Sequence, residues 1–281
     1  MIGIVWFRQD LRLSDNSSFF SSLPGVGKLS QLNFLPQHPE PSWDKKLMSN
    51  WKVGEAAAHD ALHQFLEDGV QNYKEQRDFP AVGGTSLLSP HLHFGEISPT
   101  QVYHYSKNHK AENPHHDHGV GHILRQIVWR EFAYSLMYHF PQTITDPLFE
   151  KYKGFEWRES KEELKRWQQG KTGFPIIDAA WFRDTLVDAD IANNTMGWQW
   201  VAGSGADAAP YYRIFNPILQ SKKFDAKAEY IRRWVPELSQ LDNKEIHHPS
   251  AAQAKKCNYP GAMVDLKATR ERALERYSRI K

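Results

Sequence analysis

The sequence predicts a mostly α-helical protein, and two observations support that fold class. Apolar residues recur at helical spacing between residues 51 and 73 and again between residues 123 and 139. Only residues 2–7, IGIVWF, have the short apolar character of a buried parallel strand. Because one strand cannot form a sheet, the helices are expected to supply the core.

Composition limits the classes of protein to which the chain can belong. Hydrophobic residues make up 40% and charged residues 24%, which permits a packed core and argues against disorder. No apolar run approaches the roughly 18 residues of a membrane span, and the N-terminus lacks the pattern of a signal peptide. The single cysteine, Cys257, fits a reducing compartment: the cytoplasm, or the nucleus in a eukaryote. With a net charge of +2, nucleic-acid binding would require a local basic patch.

The stretch DADIANNTMGWQWVAGSGADAAPYYRIFNP, residues 188–217, combines groups that a plain core does not need. Asp188 and Asp190 would lie roughly 200° apart on a helix, at about 100° per residue, so they serve one site only where the backbone bends. Asn193 and Asn194 favour turns and caps. These polar residues predict a bent backbone with a site beside it.

Two tryptophans follow in the same stretch. Trp198 and Trp200 supply large flat surfaces with one hydrogen-bond donor each. Buried aromatics in a helix–loop–helix are the alternative interpretation. The pattern DxDxxxNxxxWQW followed by GxDAxPYxRIFNP resembles the flavin-binding core of the photolyase/cryptochrome family. The resemblance implies a helical FAD-binding domain of photolyase type.

Residues 83–98, GGTSLLSPHLHFGEIS, predict a binding segment for an anionic diphosphate. Gly83 and Gly84 permit close backbone approach, and Ser89 followed by proline reads as a helix N-cap. An ordinary turn is the alternative. The segment is similar to the phosphate-binding segment of the family. The similarity implies FAD contacts at Tyr73, Thr85, Ser86, Leu87, Leu88 and Ser89.

The helix predicted over residues 123–139 places Gln126, Trp129 and Arg130 on one face. A helix with a mixed face is the alternative. The resemblance implies that Trp129 stacks on a DNA lesion and that Arg130 contacts phosphate or cofactor. Dimer photolyases usually carry Glu where Gln126 stands, and this departure puts the identity of the photoproduct in doubt.

Five histidines lie between His109 and His122. Imidazole suits zinc and copper, but no cysteine accompanies these residues and proline and glycine lie among them. A solvated loop is expected here, and no metal site is predicted.

Compared with the family, the chain has two gaps. Residues 1–42 resemble a remnant of the α/β antenna domain and its linker, with the strand at 2–7 as its vestige, so the expected antenna chromophore, folate or deazaflavin, lacks its domain. Residues 43–260 resemble the helical FAD-binding domain, and residues 261–281 a terminal helix. Near residues 180 and 181 roughly two average helices are missing, and with them the middle tryptophan of the family's electron-transfer chain.

The function implied by the resemblance is light-dependent repair of DNA containing pyrimidine photoproducts, by a monomer that holds FAD. Asp188 and Asp190 would hold flavin and ribityl groups, and Asn194 would face the reactive ring nitrogen. Trp198 would be the tryptophan nearest to the flavin and Trp157 the exposed end of the chain.

The resemblance also implies DNA contacts at Trp200 and Arg213, and the basic residues after them suggest phosphate contacts. The candidate cations are Lys222, Lys223, Arg232 and Arg233, with a solvated helix face as the alternative. Two other functions stay open: a cryptochrome-type photoreceptor, and an inactive truncated family member.

Overall fold

The structure is a computed structural model that describes residues 51–183, 190–207 and 213–280, with the side chains of residues 181–183 excepted. Within these ranges the protein is helical and no β-strand occurs, so the predicted mostly α fold class is confirmed. The predicted strand at residues 2–7 lies outside the described residues. No helix within those ranges combines the length and the apolar character that membrane crossing requires.

Contacts between Cα atoms divide the chain into two units, and each has its own core. The first contains residues 51–73 and 85–127, and the second contains residues 74–84 and the described residues from 128 onward. The elements that begin in the first unit are α1 (Glu55–Gln64), a π-helical turn (Phe65–Gly69), a 3₁₀ turn (Val70–Asn72), α2 (Tyr73–Gln76), α3 (Ser89–His93), α4 (Pro99–Glu112), a 3₁₀ turn (Pro114–His116) and α5 (Asp117–His139).

The core of the first unit contains Leu62, Val70, Ile97 and Val120, all nearly or fully buried. The start of α5 approaches the Val70 turn so closely that a Cβ on Gly119 would lie 1.8 Å from the Val70 carbonyl oxygen. Only glycine fits at that crossing. The helix predicted from residue 51 begins at Glu55 and widens at Phe65 into the π-helical turn that ends at Gly69, a residue with low helix propensity.

The histidine run is not a solvated loop, so that prediction is wrong. His109 lies in the last turn of α4 and His116 in the 3₁₀ turn before α5, and both are buried. Their rings stack with centroids 5.1 Å apart, and His109 Nε2 lies 2.8 Å from His116 Nδ1. Burial, followed by the charges of His115 and His109, lowers the pKa of His116. Within the described ranges no cluster of three or more His, Cys, Asp or Glu is arranged to hold a metal ion.

The second unit contains the remaining helices. After two 3₁₀ turns (Pro141–Ile144 and Glu150–Gly154) come α6 (Lys161–Gln168), α7 (Pro175–Arg183), α8 (Ile191–Ala202), α9 (Pro217–Phe224), α10 (Glu229–Trp234), a 3₁₀ turn (Pro236–Leu238), α11 (Ala251–Lys256) and α12 (Leu266–Arg279). Its core includes Ala179, Ile231, Leu238 and Ile246, each fully buried. The core therefore joins α7 to α10 and to the segments on either side of the last 3₁₀ turn.

Candidate functional site

Helix α8 begins at a carboxylate cap. Asp190 has an extended backbone, and its Oδ1 accepts a hydrogen bond from the Asn193 amide at 3.0 Å. The Asn193 side chain folds back and donates to Asp190 Oδ2 at 2.9 Å. The predicted bend is therefore at Asp190. Asn193 and Asn194 lie inside the helix instead of in a turn, because the cap precedes them. Asp188 lies outside the described residues.

Helix α5 supplies a partner that the sequence did not indicate. The Tyr134 hydroxyl donates to Asp190 Oδ2 at 2.7 Å. Arg130, one helical turn earlier, places its guanidinium 4.6 Å from the Tyr134 ring centre and donates to Glu131 Oε1 at 2.7 Å. The available signal was the spacing of Arg130 and Tyr134, which places them on one helix face. Arg130 therefore reaches the site through Tyr134.

The charges of this network follow from those hydrogen bonds. Burial alone would raise the pKa of Asp190, but the hydrogen bonds from Asn193 and Tyr134 outweigh it and lower the pKa. Burial, and then the hydrogen bond to Asp190, raise the pKa of Tyr134 to about 12. Near neutral pH the pair is therefore a carboxylate that accepts from a neutral phenol.

One face of α8 borders a cleft of about 490 Å³, which we call the tryptophan cleft. Asn194, Trp198 and Trp157 line it, together with residues 143–147. Trp198 is 59% exposed and Trp157 is 68% exposed. Because Trp200 is also 40% exposed, Trp198 and Trp200 are not the buried aromatics of the alternative interpretation. The side-chain amide of Asn194 makes no hydrogen bond to any residue that the structure describes. The cleft thus offers flat apolar surface and one amide with both a donor and an acceptor.

Gln199 lines the tryptophan cleft and holds the facing loop in place. It lies between Trp198 and Trp200, and the sequence did not indicate this role. Its Nε2 donates to the carbonyls of Thr143, at 3.0 Å, and Asp146, at 3.1 Å. Its Oε1 accepts from the Leu148 amide at 2.9 Å. One side chain thereby satisfies three backbone groups of the loop that faces α8. The sequence WQW indicates the two aromatic rings, but it does not indicate the hydrogen bonds that Gln199 makes to this loop.

The terminal helix α12 holds the segment that bears Trp157. Arg276 donates to the Glu156 carbonyl, and Arg279 lies 3.2 Å from the Glu156 carboxylate. Tyr277 stacks on Tyr152 with centroids 6.4 Å apart. A helix to which the sequence assigned no role therefore anchors one wall of the tryptophan cleft.

The residues predicted to contact DNA differ in how many interactions they already make within the protein. The Arg213 guanidinium lies 4.3 Å from the centre of the Trp200 ring, and that ring is 40% exposed. Lys222 and Lys223 are exposed near the end of α9. Arg232 donates to the carbonyls of Lys227 and Leu241, each at 2.7 Å. Its guanidinium therefore stabilises a loop, and few of its N–H donors remain for a phosphate.

From Thr85 onward the predicted phosphate segment lies in the first unit, and its cap differs from the prediction. Helix α3 begins at Ser89, so Leu88 is the capping residue and no side chain caps the helix. Leu87 has a left-handed backbone with φ of 55°, and Ser86 Oγ accepts from the Leu88 amide at 3.4 Å. Tyr73 is buried edge-on against Phe65. Serine did not become the cap because the helix starts one residue early.

Gln126 and Trp129 lie on α5, as predicted, and both are half-buried. Trp129 packs edge-on against Phe132 with ring centroids 5.6 Å apart. The helix is continuous through both residues, so their spacing of three residues keeps them on one side of it.

Comparisons with known proteins identify the family to which the chain belongs. A family model described as the FAD binding domain of DNA photolyase matches residues 123–181 and 179–279. A deoxyribodipyrimidine photo-lyase of Agrobacterium fabrum is 41% identical over 92% of this chain and 62% of its own length. The chain therefore spans less than two thirds of that relative.

Solved structures give the same result. A bacterial class III photolyase from Agrobacterium tumefaciens is 40% identical with a TM-score of 0.80, and the match covers 92% of this chain and 62% of that one. A cryptochrome from Synechocystis is 26% identical with a TM-score of 0.71, over 82% and 56% of the two chains. The family model alone matches more than half of the chain. The chain therefore belongs to the DNA photolyase family, through its FAD-binding domain.

Proposed function

We propose that this chain holds FAD and takes part in light-dependent repair of pyrimidine dimers in DNA. The observation that carries the proposal is the position of α8, which the Asp190 network fixes at its start and Gln199 fixes near its end. Between these anchors, Asn194 and Trp198 line the tryptophan cleft. The Agrobacterium relative that is 41% identical bears the name deoxyribodipyrimidine photo-lyase, which supports the choice of reaction.

The residues present fit a flavin in two respects. The side-chain amide of Asn194 has no partner among the described residues and could bind a polar edge of the flavin ring. Asp190 is half-buried, and its carboxylate can accept a further hydrogen bond beyond the three that it makes. In the proposal, Thr85, Ser86 and Ser89 bind the diphosphate. When bound, reduced FAD supplies the electron that splits the dimer; the protein orients the reactants and excludes water.

DNA would be bound by side chains that remain accessible. Trp200 with Arg213 stacked on it offers a flat cationic platform for bases. Trp129 would add aromatic surface for a flipped lesion, and Lys222 and Lys223 would neutralise phosphates. We assign Arg232 no DNA contact because of its carbonyl hydrogen bonds. The side-chain amide of Gln126 would form a hydrogen bond with the lesion.

The proposal includes an internal gap near residues 180 and 181. The family model matches in two segments that meet at residues 179–181. The Agrobacterium fabrum alignment runs over 305 positions while covering 92% of a 281-residue chain. Both facts support the absence of a segment that the relative contains. The proposal further includes a monomer in a reducing compartment, where buried Cys257 would remain a thiol.

A photoreceptor without repair activity is the second candidate, favoured by the similarity to the Synechocystis cryptochrome. A repair assay separates the two. The purified chain is reconstituted with FAD, reduced and mixed with a UV-irradiated thymidine oligonucleotide, and the recovery of thymine absorbance under blue light is followed. We expect recovery in the light and none in the dark, with Asn194→Ala slower than the parent chain.

Two other results have distinct meanings in this assay. A chain that holds FAD but restores no absorbance contradicts repair and leaves the photoreceptor. A chain that retains no FAD after reconstitution contradicts both functions and identifies an inactive family member. FAD content is therefore measured on each preparation by flavin absorbance before illumination.

A further inference from the structure

A second cleft lies in the second unit and shares no lining residue with the tryptophan cleft. Its volume is about 720 Å³. We call it the basic cleft and define it by Phe174, Asn216, His248, Asp265, Lys267 and Arg270. It joins the starts of α7, α9 and α12 with the loop before α11. Neither the flavin site nor the predicted DNA contacts include these residues.

The walls of the basic cleft are fixed by a buried carboxylate. Asp178 accepts from the Thr172 amide at 2.8 Å and from the Thr172 hydroxyl at 2.6 Å. It also accepts from the Gly173 amide at 3.0 Å and from the Tyr259 hydroxyl. The Met263 amide then donates to the Thr172 carbonyl at 2.8 Å. The loop before Phe174 is therefore tied to the segment that leads into α12, and the cleft needs little reorganisation to bind a ligand.

The two segments also approach each other too closely for a side chain. Gly173 has φ of +79°, and a Cβ there would lie 2.4 Å from the Gly261 carbonyl carbon. Glycine is therefore required by both conformation and space. The motif GKTGFPIIDAA, which the proposed flavin site does not use, thus builds this wall.

The cations of the basic cleft have no partners among the described residues. The side chains of His248, Lys267 and Arg270 make no hydrogen bond or ion pair within that part of the chain. At the opposite end of α12, Arg276 and Arg279 both contact Glu156. Asp265 is the carboxylate among the lining residues, and its Oδ1 accepts from the Ala268 amide at 2.8 Å. The unpaired charge at the start of α12 is therefore positive.

Lys267 stands where a helix disfavours a cation. It lies in the first turn of a 14-residue helix, where the macrodipole is positive and favours anions. Concave walls also strengthen the field of charges that line them. An anion in the cleft would offset both the repulsion between these cations and their interaction with the dipole.

We propose that the basic cleft binds a phosphate group carried by a nucleotide or by a nucleic-acid strand. Lys267 and Arg270 contact the phosphate oxygens, and the planar fork of Arg270 suits them in particular. His248 adds a ring donor. The apolar lining residues Ile218, Val264 and Leu266 leave space beside the phosphate for a sugar or base. The binding requires neither FAD nor light nor a damaged base.

The test uses the full chain in the dark and two double variants of equal charge. Lys267→Ala with Arg270→Ala removes two cations from the basic cleft. Lys255→Ala with Lys256→Ala removes two cations from exposed positions on α11 that do not line the cleft. Fluorescence anisotropy measures binding of an undamaged thymidine oligonucleotide, and calorimetry measures binding of thymidine monophosphate. Because all four side chains are exposed, both variants are expected to melt as the parent does.

We expect the cleft variant to bind the oligonucleotide at least tenfold more weakly, with a salt slope flatter by about 1.4, which is roughly 0.7 for each phosphate of a single strand that the variant no longer neutralises. The α11 variant keeps the parent slope. Arg270→Lys, which keeps the charge but not the fork, loses less than Arg270→Ala. Monophosphate binding that depends on the same residues identifies free nucleotide as a source, and its absence beside strand binding identifies the strand.

Three results would overturn the proposal: equal weakening by both double variants, no binding of either probe, or stronger competition by an acidic peptide than by nucleotides. A failed repair assay leaves it standing, since these measurements use neither flavin nor light.

Discussion

Two aspartates of the second unit show how a closed site differs from an open one. Asp178 is 2% exposed and accepts four hydrogen bonds, two on each carboxylate oxygen. Asp190 is half-buried and accepts three, one on Oδ1 and two on Oδ2. A carboxylate has about four acceptor positions. Asp178 is therefore saturated by the protein, whereas Asp190 keeps a position that a ligand can use.

This difference in free acceptor positions predicts different roles: Asp178 contributes to stability and Asp190 to ligand binding. All the donors of Asp178 are protein groups, and burial followed by the Asp178 charge raises the pKa of its partner Tyr259. Asp190 caps a helix, and the same helix presents Asn194 and Trp198 to the tryptophan cleft. We expect changes at Asp178 to act on folding and changes at Asp190 to act on ligand retention.

The largest effect is expected for Asp178→Ala. It leaves the buried Tyr259 and Thr172 donors unsatisfied, at about 1–3 kcal/mol each, so the free energy of unfolding should fall on the order of 4 kcal/mol. Urea unfolding followed by circular dichroism measures it. Asp178→Asn, which keeps the shape, should lose less. The fraction that remains folded should bind FAD as the parent does. If the free energy of unfolding fell by less than about 1 kcal/mol, the fold would not depend on the hydrogen bonds of Asp178.

Asp190 should give the opposite result. Asparagine caps helices as well as aspartate does, so Asp190→Asn should leave the unfolding free energy within about 0.5 kcal/mol, whereas Asp190→Ala should lose about 1 kcal/mol. FAD retention should fall about tenfold or more in both, since a hydrogen bond to a charged group contributes about 1.5–3 kcal/mol. Titration of FAD into each variant measures it. Full FAD affinity in Asp190→Ala would remove the distinction between the two aspartates.

The network around Asp190 should also depend on alkaline pH. The pKa of Tyr134 is raised to about 12, from about 10 in an unfolded chain. The stability contributed by the Tyr134 hydroxyl is therefore complete below about pH 10 and is lost as the pH rises through the folded value. The stability difference between the parent and Tyr134→Phe should shrink across that range. Melting temperatures at several pH values measure it, and a constant difference would contradict the assignment.

The sequence predicted the open site better than the closed one. The spacing of Asp190, Asn194 and Trp198 indicated a site because such groups are unusual together, and the structure places the last two in one cleft. Asp178 stands in an apolar run, IIDAA, and its partner Tyr259 is 81 positions away. Contacts of that separation leave no local pattern. Gln199 and Tyr134 escaped notice for the same reason, since both bond to groups more than fifty positions distant.

The smallest effect on stability, and the sharpest test of the open site, is expected at its exposed tryptophans. Trp157 is 68% exposed, so Trp157→Phe should change the unfolding free energy by less than about 0.5 kcal/mol. If the proposed internal gap removes the family's middle tryptophan, photoreduction of oxidised FAD should be slow and Trp157→Phe should leave its rate unchanged. Trp167 lies edge-on to Trp198 with centroids 6.5 Å apart, so Trp167→Phe should lower the residual rate. Bleaching of flavin absorbance under blue light measures each rate, and fast bleaching that Trp157→Phe abolishes would show that an intact route passes through Trp157.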